Sequence, residues 1–355
     1  MNKNIDRTEA LFPTLGEDVT CPMTSLSLYQ AQEINAESDK WKFAVWRPRG
    51  GIGDLLMLTP TFRMIKKVFP NCQLDFITSD GYCEGALRAV LWGNPYIDNV
   101  FDFQSGNLKI KDYHVTVDMD CPCALVEQPG SRPLNRIDIF ARSTGLLLDD
   151  PRLIYKVKEE EKQWAKAYMR QVNVAHKQHK FLYQPFASSR QRSVDVQKSK
   201  EILGHLAQAY PNSAIFVPTH GTDWGGQIDF NLMNCVQVKN HNVRLVAALC
   251  DAVDVVIAPD SSILHVAGAL DKPVVALFGP TWPGARLNHY PKNVTVWCAE
   301  DLKCQNCWYK ACTLGIACWN RLEPTRVVAA VSQALIGNWT DYSPKQKKTL
   351  EPEEV

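Results

Sequence analysis

From Lys42 onward, short apolar runs alternate with stretches of helical spacing. KFAVW (42–46), QLDFIT (73–78), YIDNVFDF (96–103) and YHVTVDM (113–119) read as strands. After the first strand, GGIGD (50–54) is a glycine-rich turn. LLMLTPTFRMIKKVF (55–69) then places apolar residues at helical spacing, with Pro60 as a kink or first-turn residue. NRIDIFARSTGLL (135–147) reads as a helix closing near Gly145, and KVKEEEKQWAKAYMRQV (156–172) as a charged amphipathic helix. A second series follows, with strands at 181–186, 213–219, 235–238, 253–260 and 272–279 and helices at 196–210, 242–252 and 261–270. NVTVW (293–297) is strand-like, and a last helix over 323–337 has a proline near its start.

Strand, helix, strand, repeated in two series, predicts an α/β protein with two Rossmann-like, doubly wound parallel-sheet domains. The strands are short and nearly all apolar, as expected where helices cover both faces of a sheet. The division expected is an N-terminal extension (1–40), a first domain (41–155), a linker helix (156–177), a second domain (178–322) with a Cys-rich loop (298–318), a C-terminal helix (323–337) and a charged tail (338–355). Ligands of open parallel sheets bind beyond the carboxyl ends of the strands, so the expected site is the cleft between the two domains.

Composition narrows the classes. A chain of 355 residues with 45% hydrophobic and 22% charged residues is an ordinary globular protein, and its length favours two domains. Lys+Arg number 39 against 38 Asp+Glu, so no global field draws in nucleic acid. No apolar run approaches a membrane span and no secretory signal is apparent, so a cytoplasmic protein is expected, with peripheral membrane contact left open. In that compartment the cysteines, 12 in all, are thiols or metal ligands.

Two segments carry chemistry. In RPRGGIGDLLMLTP (47–60), Gly50, Gly51 and Gly53 allow backbone approach to a ligand at a helix N-terminus, and Asp54 falls in the first turn, where the helix dipole favours its ionised form. An ionised carboxylate at a cleft mouth can take a proton from an acceptor hydroxyl; the plainer reading is a helix cap. A dinucleotide fingerprint would want Gly or Ala where Leu56 stands. In IAPDSSILHVAGALDKPVVALFGPT (257–281), a strand ends at Ala258 and a helix opens at Ser261–Ser262. Free first-turn amides, two hydroxyls and a helix dipole form a place for a diphosphate without a metal ion, with His265 one turn on and Thr281 at a neighbouring sheet edge. Asp260 and the serines could instead be a plain N-cap, and His265 a core residue.

Other signals are weaker. Cys304-x2-Cys307-x4-Cys312-x5-Cys318 could close on one tetrahedral ion, a structural staple for a short loop, or remain four thiols. Asp118-x-Asp120 is a D-x-D pair, and Trp46, Trp224, Trp282 and Trp308 are candidates to line a sugar site.

R-x-x-G-G-x-G-D…T-P, followed late in the chain by P-D-S-S-x-x-H-x-A-x-A-L-x-x-P-V-V-A-L-F-G-P-T, resembles glycosyltransferase family 9, the heptosyltransferases of lipopolysaccharide core synthesis. NRIDIFARSTGL is also similar, so the resemblance runs from about 42 to 337. It implies a GT-B fold, inverting transfer without a catalytic metal or other catalytic cofactor, and a last helix that crosses back to the first domain. It implies that Asp54 is the catalytic base, that Asp260 contacts the donor sugar, and that Ser261, Ser262, Ile263, Leu264 and His265 form the phosphate turn. The family's phosphate-binding Lys is absent; Arg192 in FASSRQRS (186–193) is the substitute, and Asp223 in THGTDWGG (219–226) is the candidate ribose contact. VKNHNVRL (238–245) replaces the family's G-K-T-S-L, which leaves the nucleotide open. The partners implied are a nucleotide-diphosphate sugar, ADP-heptose favoured, and a hydroxyl acceptor: lipopolysaccharide core or a related glycan, a lipid-linked acceptor or a protein. The Cys pattern is also similar to the four-Cys iron finger of the autotransporter-modifying heptosyltransferases, which makes iron or zinc the structural ion expected. A non-catalytic nucleotide-sugar-binding protein is the rival reading.

Overall fold

The computed structural model describes residues 41–79, 86–104, 108–120, 122–123, 127, 129–219, 232, 234–239, 241–300, 302, 304, 306–307, 312 and 314–340. The first sheet is four parallel strands, β1 (Lys42–Trp46), β2 (Gln73–Thr78), β3 (Asn99–Asp102) and β4 (Val115–Asp118), in the order β3-β2-β1-β4. The helices described with it are α1 (Ile52–Val68), α2 (Ala86–Val90) and α3 (Arg136–Ser143). Helix α4 (Glu159–Gln171) leads to the second sheet, whose strands are β5 (His179–Tyr183), β6 (Ser213–Pro218), β7 (Cys235–Val238), β8 (Val255–Pro259), β9 (Val274–Phe278) and β10 (Asn293–Trp297). Their order is β10-β9-β8-β5-β6-β7, all parallel. Between them run α5 (Val196–Ala209), α6 (Val243–Ala252), α7 (Ser262–Ala269) and α8 (Gly284–Leu287), and α9 (Ala317–Asn320) and α10 (Pro324–Leu335) follow.

Read from β7 across to β10, the second sheet has the doubly wound Rossmann order, and its switch point lies between β5 and β8. The first sheet has the shorter form of the same order, with its switch point between β1 and β4. The two-domain α/β expectation therefore holds, and most elements fall within a few residues of their expected bounds. Helix α1 starts earlier than its apolar spacing suggests, because Gly51 is its N-cap and Asp54 closes a capping box on the Gly51 amide. Pro60 sits in mid-helix, not in the first turn. Its ring leaves the Leu56 carbonyl without the usual amide partner, and the Thr59 hydroxyl donates to that carbonyl instead (2.6 Å). The Thr59 oxygen in turn accepts the Ile154 amide (2.9 Å), tying the end of the first domain to α1.

The core explains why the two domains form one body. One apolar cluster runs from Phe43, Phe62 and Phe76 of the first domain through Leu55, Leu56 and Met57 of α1 to Ile263, Leu264 and Val266 of α7. A second cluster lies on the far face of the second sheet, under α5 and α10. The last described helix thus packs against α5, β8, β9 and β10 and does not cross to the first domain. Arg244 of α6 is a strut at the seam. It donates to both carboxylate oxygens of Glu161 in α4, to the Ala89 carbonyl of α2 (3.0 Å) and to the Lys156 carbonyl (2.7 Å). Both side chains are largely out of water. Removing the cation would leave Glu161 buried and unpaired, so Arg244→Leu should lose about 3 kcal/mol of stability. A urea midpoint that falls while the slope stays constant is the expected result.

Candidate active site

A cavity of about 690 Å³ opens where the carboxyl ends of β1, β5 and β8 face one another. The first domain contributes Gly50, Gly51, Gly53, Asp54 and Arg136; the second contributes Ser188, Arg192, Asp260, Ser261, Ser262, Ile263, His265 and Arg286. Asp54 and the turn at the start of α7 therefore share one cleft, as the order of strands and motifs implied.

Two glycines permit this approach. A Cβ on Gly53 would stand 2.3 Å from His265 Cδ2, so the first turn of α1 lies directly on the imidazole. A Cβ on Gly268 would stand 2.6 Å from the Tyr290 ring, and its absence lets the ring lie on α7. The phenol then meets His265 Nδ1 at 2.6 Å. Burial pushes the Tyr290 phenol well above its ordinary range, so it stays protonated and donates to Nδ1. That leaves Nε2–H toward Asp260 Oδ1, 3.6 Å away.

Charges alternate across the seam. Asp54 Oδ2 accepts the Gly51 amide (3.0 Å) and stands 3.5 Å from Arg47 Nη2, while Oδ1 pairs with Arg136. Arg136 Nε donates to Glu127 (2.9 Å), and Arg286 Nη1 donates to the same carboxylate oxygen from the other domain (2.9 Å). Arg286 Nε stands 3.5 Å from Asp260 Oδ1. Arg192 Nη1 donates to the Asp260 carbonyl (2.8 Å) and lies 3.8 Å from Oδ2. Burial opposes the charge on Asp260, yet Arg286, His265 and Arg192 together hold its carboxyl well below the usual range. Burial likewise pushes the His265 imidazole down, against the pull of Asp260.

The opening of α7 has bonding capacity unused. Ser261 is the N-cap, yet its side chain makes no capping bond, and its buried Oγ has no partner. With the free first-turn amides and Arg192 beside it, this corner is built to accept oxygens of an anion.

Several expectations need correction. Leu264 lies in the core and Thr281 is fully buried, reaching Asp260 Oδ2 at 3.4 Å; neither lines the cavity. Thr281 supports the carboxylate from behind. Asp223, Trp224 and Trp308 lie outside the described residues. Trp46 packs on Phe103, and Trp282 on Trp297 under Arg132, away from the cavity. Asp120 pairs with Arg49, just before the glycine-rich turn, and its amide donates to Asp118, so the D-x-D pair is engaged by protein groups. Cys304, Cys307, Cys312 and Cys318 are not in disulfides, and among the described residues no group of three or more His, Cys, Asp or Glu is arranged to hold a metal. The cysteines as they stand do not fit the expected structural ion.

Sequence reasoning assigned no role to Arg47, Glu127, Arg136 or Arg286. Two left a signal. Arg47 directly follows an apolar strand, and Arg136 opens a helix, where the dipole disfavours a cation unless another group holds it. Glu127 and Arg286 meet across 159 residues of chain, and nothing local marks either.

Two facing Rossmann-order sheets with one polar cavity at their carboxyl ends make this a GT-B-type glycosyltransferase fold. Residues 135–317, more than half of the chain, match glycosyltransferase family 9 (heptosyltransferase), and the chain belongs to that family. Solved structures agree on the fold. The glycosyl transferase family 9 protein from Veillonella parvula DSM 2008 is 13% identical, with a TM-score of 0.65 over 84% of this chain and 98% of its own. The ADP-heptose lps heptosyltransferase II of E. coli is 17% identical (TM-score 0.59; 83% of this chain, 98% of its own). The E. coli heptosyltransferase WaaC, solved with ADP, is 13% identical (TM-score 0.55; 82% and 99%). The curated proteins contain no match. Among the described residues no helix is long and apolar enough to cross a membrane.

Two outcomes follow from the contacts of this site. Gly53→Ala should lose about 1–3 kcal/mol of stability by overpacking His265, whereas Gly51→Ala, whose Cβ meets nothing within 4 Å, should stay within about 1 kcal/mol of the parent. Melting temperatures of the pair decide this. His265 is neutral in the folded protein and its pKa is depressed, so the unfolded chain takes up its proton first. Its contribution is whole above about pH 6.5 and declines as pH falls below that value. His265→Gln should flatten the fall in urea midpoint between about pH 6.5 and pH 5.

Proposed function

We propose that this protein is an inverting glycosyltransferase that moves a sugar of the heptose class from a nucleotide diphosphate, ADP-heptose first among candidates, to a hydroxyl of lipopolysaccharide core or a related glycan. The observation that carries the reading is the shared cavity, with an ionised carboxylate on one wall and an unfilled anion corner on the other. Membership of the family and the ligands named for the E. coli relatives support the donor class. The nine described cysteines are all free, in keeping with a cytoplasmic site for the reaction.

In this reading the donor diphosphate lies against Ser261, Ser262, the amides of the first turn of α7, and Arg192. Asp260 faces the sugar. The acceptor hydroxyl attacks the anomeric carbon from the side opposite the leaving group. As the new C–O bond forms and the bond to the diphosphate breaks, Asp54 takes the hydroxyl proton. Arg47, Arg136 and the Gly51 amide all stabilise its charge, so it is a weak base at rest. Proton transfer concerted with bond formation suits such a base, because the alcohol becomes acidic only as it attacks. Negative charge on the departing diphosphate is met by amides and a guanidinium already in place, each worth ~3–4 kcal/mol in the transition state, with no metal in the step.

Asp54→Asn should bind ADP within about threefold of the parent and lose on the order of 10²–10⁴ in transfer rate. Calorimetry with ADP and nucleotide release from ADP-heptose measure the two halves. Near-parental turnover by that variant would remove Asp54 from the role of base. A panel of nucleotide sugars in the same release assay tests the donor, and ADP that binds with no transfer to any acceptor would favour the non-catalytic binder.

A further inference from the structure

The end of the Cys-rich segment reaches the donor corner. Trp319 of α9 is 2% exposed, and its indole Nε1 donates to the Gln191 carbonyl (2.7 Å), 128 residues away in sequence. Gln191 precedes Arg192 within a single 3-10 turn, Arg190–Arg192. Inside its own loop the turn is held by Ser193 Oγ, which accepts the Ala187 amide (2.9 Å) and donates to the Ser189 carbonyl (2.8 Å), and by Arg192 Nε, which donates to Ser189 Oγ (3.3 Å); from outside it, the Arg192 side chain reaches the Asp260 carbonyl (2.8 Å), while the backbone of the turn meets the indole. The indole is therefore a clamp from outside the loop on the residue next to Arg192.

The clamp is itself fixed. Gly279, just beyond β9, has no side chain, and the indole rests on it. A Cβ there would stand 2.8 Å from Trp319 Cε2 and 3.1 Å from Cys318 Sγ. Behind Trp319, Cys318 is buried and its thiol is pushed up to about 11, by burial first and then by nearby Cys307, Cys312 and Cys304. Cys307, Cys312 and Cys304 thus lie near Cys318, and the segment that carries them ends in the indole. The same segment touches the other domain, where the Gly130 amide donates to the Asn306 carbonyl (2.8 Å).

We propose that Trp319 is a positioning residue for Arg192: its indole N–H fixes the backbone of the Arg190–Arg192 turn, and through it the Cys-rich segment sets the affinity for the donor diphosphate. This rests on the reading that Arg192 holds that diphosphate. Trp319 touches neither substrate nor reacting atoms. Its loss should raise the donor KM and, because Arg192 also meets the charge on the departing diphosphate, lower kcat at saturating donor.

The test is ADP affinity of the full chain by calorimetry for the parent, Trp319→Phe, Arg192→Ala and the double variant. Trp319→Phe keeps a buried ring and removes only the donor. The expected result is a loss of about tenfold in ADP affinity for Trp319→Phe, and little further loss when it is added to Arg192→Ala, because residues acting through one another are non-additive. A residue that merely stabilises the domain would give equal losses in both backgrounds, and that result would overturn the proposal. Should Trp319→Phe fold poorly, Gly279→Ala serves in its place, since the added methyl must displace the indole while its N–H remains; the same non-additivity is expected. If Arg192→Ala lowers ADP affinity and neither clamp variant does, this inference alone fails. If Arg192→Ala leaves ADP affinity unchanged, the assignment of Arg192 fails and takes the inference with it.

Discussion

A carboxylate held out of water stays ionised only if cations are fixed around it, and Asp260 sets that requirement at the centre of this structure. Arg286 and Arg192 meet it as cations, and His265 turns its Nε2 toward the same carboxylate. Arg286 is itself shared with Glu127 of the other domain, and Glu127 is shared with Arg136, which also pairs with Asp54. The two acidic residues that face the cavity from opposite domains are thus the ends of one ladder of ion pairs. Such buried pairs add little net stability over apolar packing, because each ion gives up hydration to enter them. What they specify here is geometry. A tilt of one domain against the other would leave at least one buried charge unmatched.

At one point of the seam the first domain meets the second with no side chain of its own. Gly53 brings the first turn of α1 onto His265, and Gly268 brings Tyr290 onto the same imidazole from behind. His265 is therefore fixed from two sides and hydrogen-bonded along its ring plane, which leaves Nε2–H one direction to point. In this setting the neutral histidine is a spacer of defined length and tautomer.

How much of this the sequence disclosed follows from the range of the interactions. Strands such as VVIAP and VVALF are apolar on both faces and are read directly, as is the glycine turn before α1. The anion corner was legible because its parts are consecutive residues, 260–265, at a strand end. The ladder was not, because it joins residues from five separate segments, and an arginine in a loop looks the same whether it faces water or a buried carboxylate. Leu264 faces the core for a related reason. A motif names a run of residues, but a helix turns about a hundred degrees per residue, so neighbours in one motif face opposite ways. The cysteine spacing suggested a closed tetrahedral site, and spacing alone does not fix where four loop sulfurs point.

The two domains repeat one plan, and a difference of a few atoms separates their roles. In each, a strand ends, a turn follows, and a helix N-terminus faces the cavity. At α1 the positive end of the helix is already answered from within, since Asp54 occupies the third helical position and caps the Gly51 amide. At α7 the acidic residue comes before the helix and is turned toward Arg286 and Arg192. Ser261 caps nothing, and the helix end is unanswered. A polyanion entering the cavity meets attraction at one helix end and a fixed negative charge at the other. On the reading proposed above, that asymmetry is what seats a diphosphate on the second domain and leaves the first to a neutral hydroxyl.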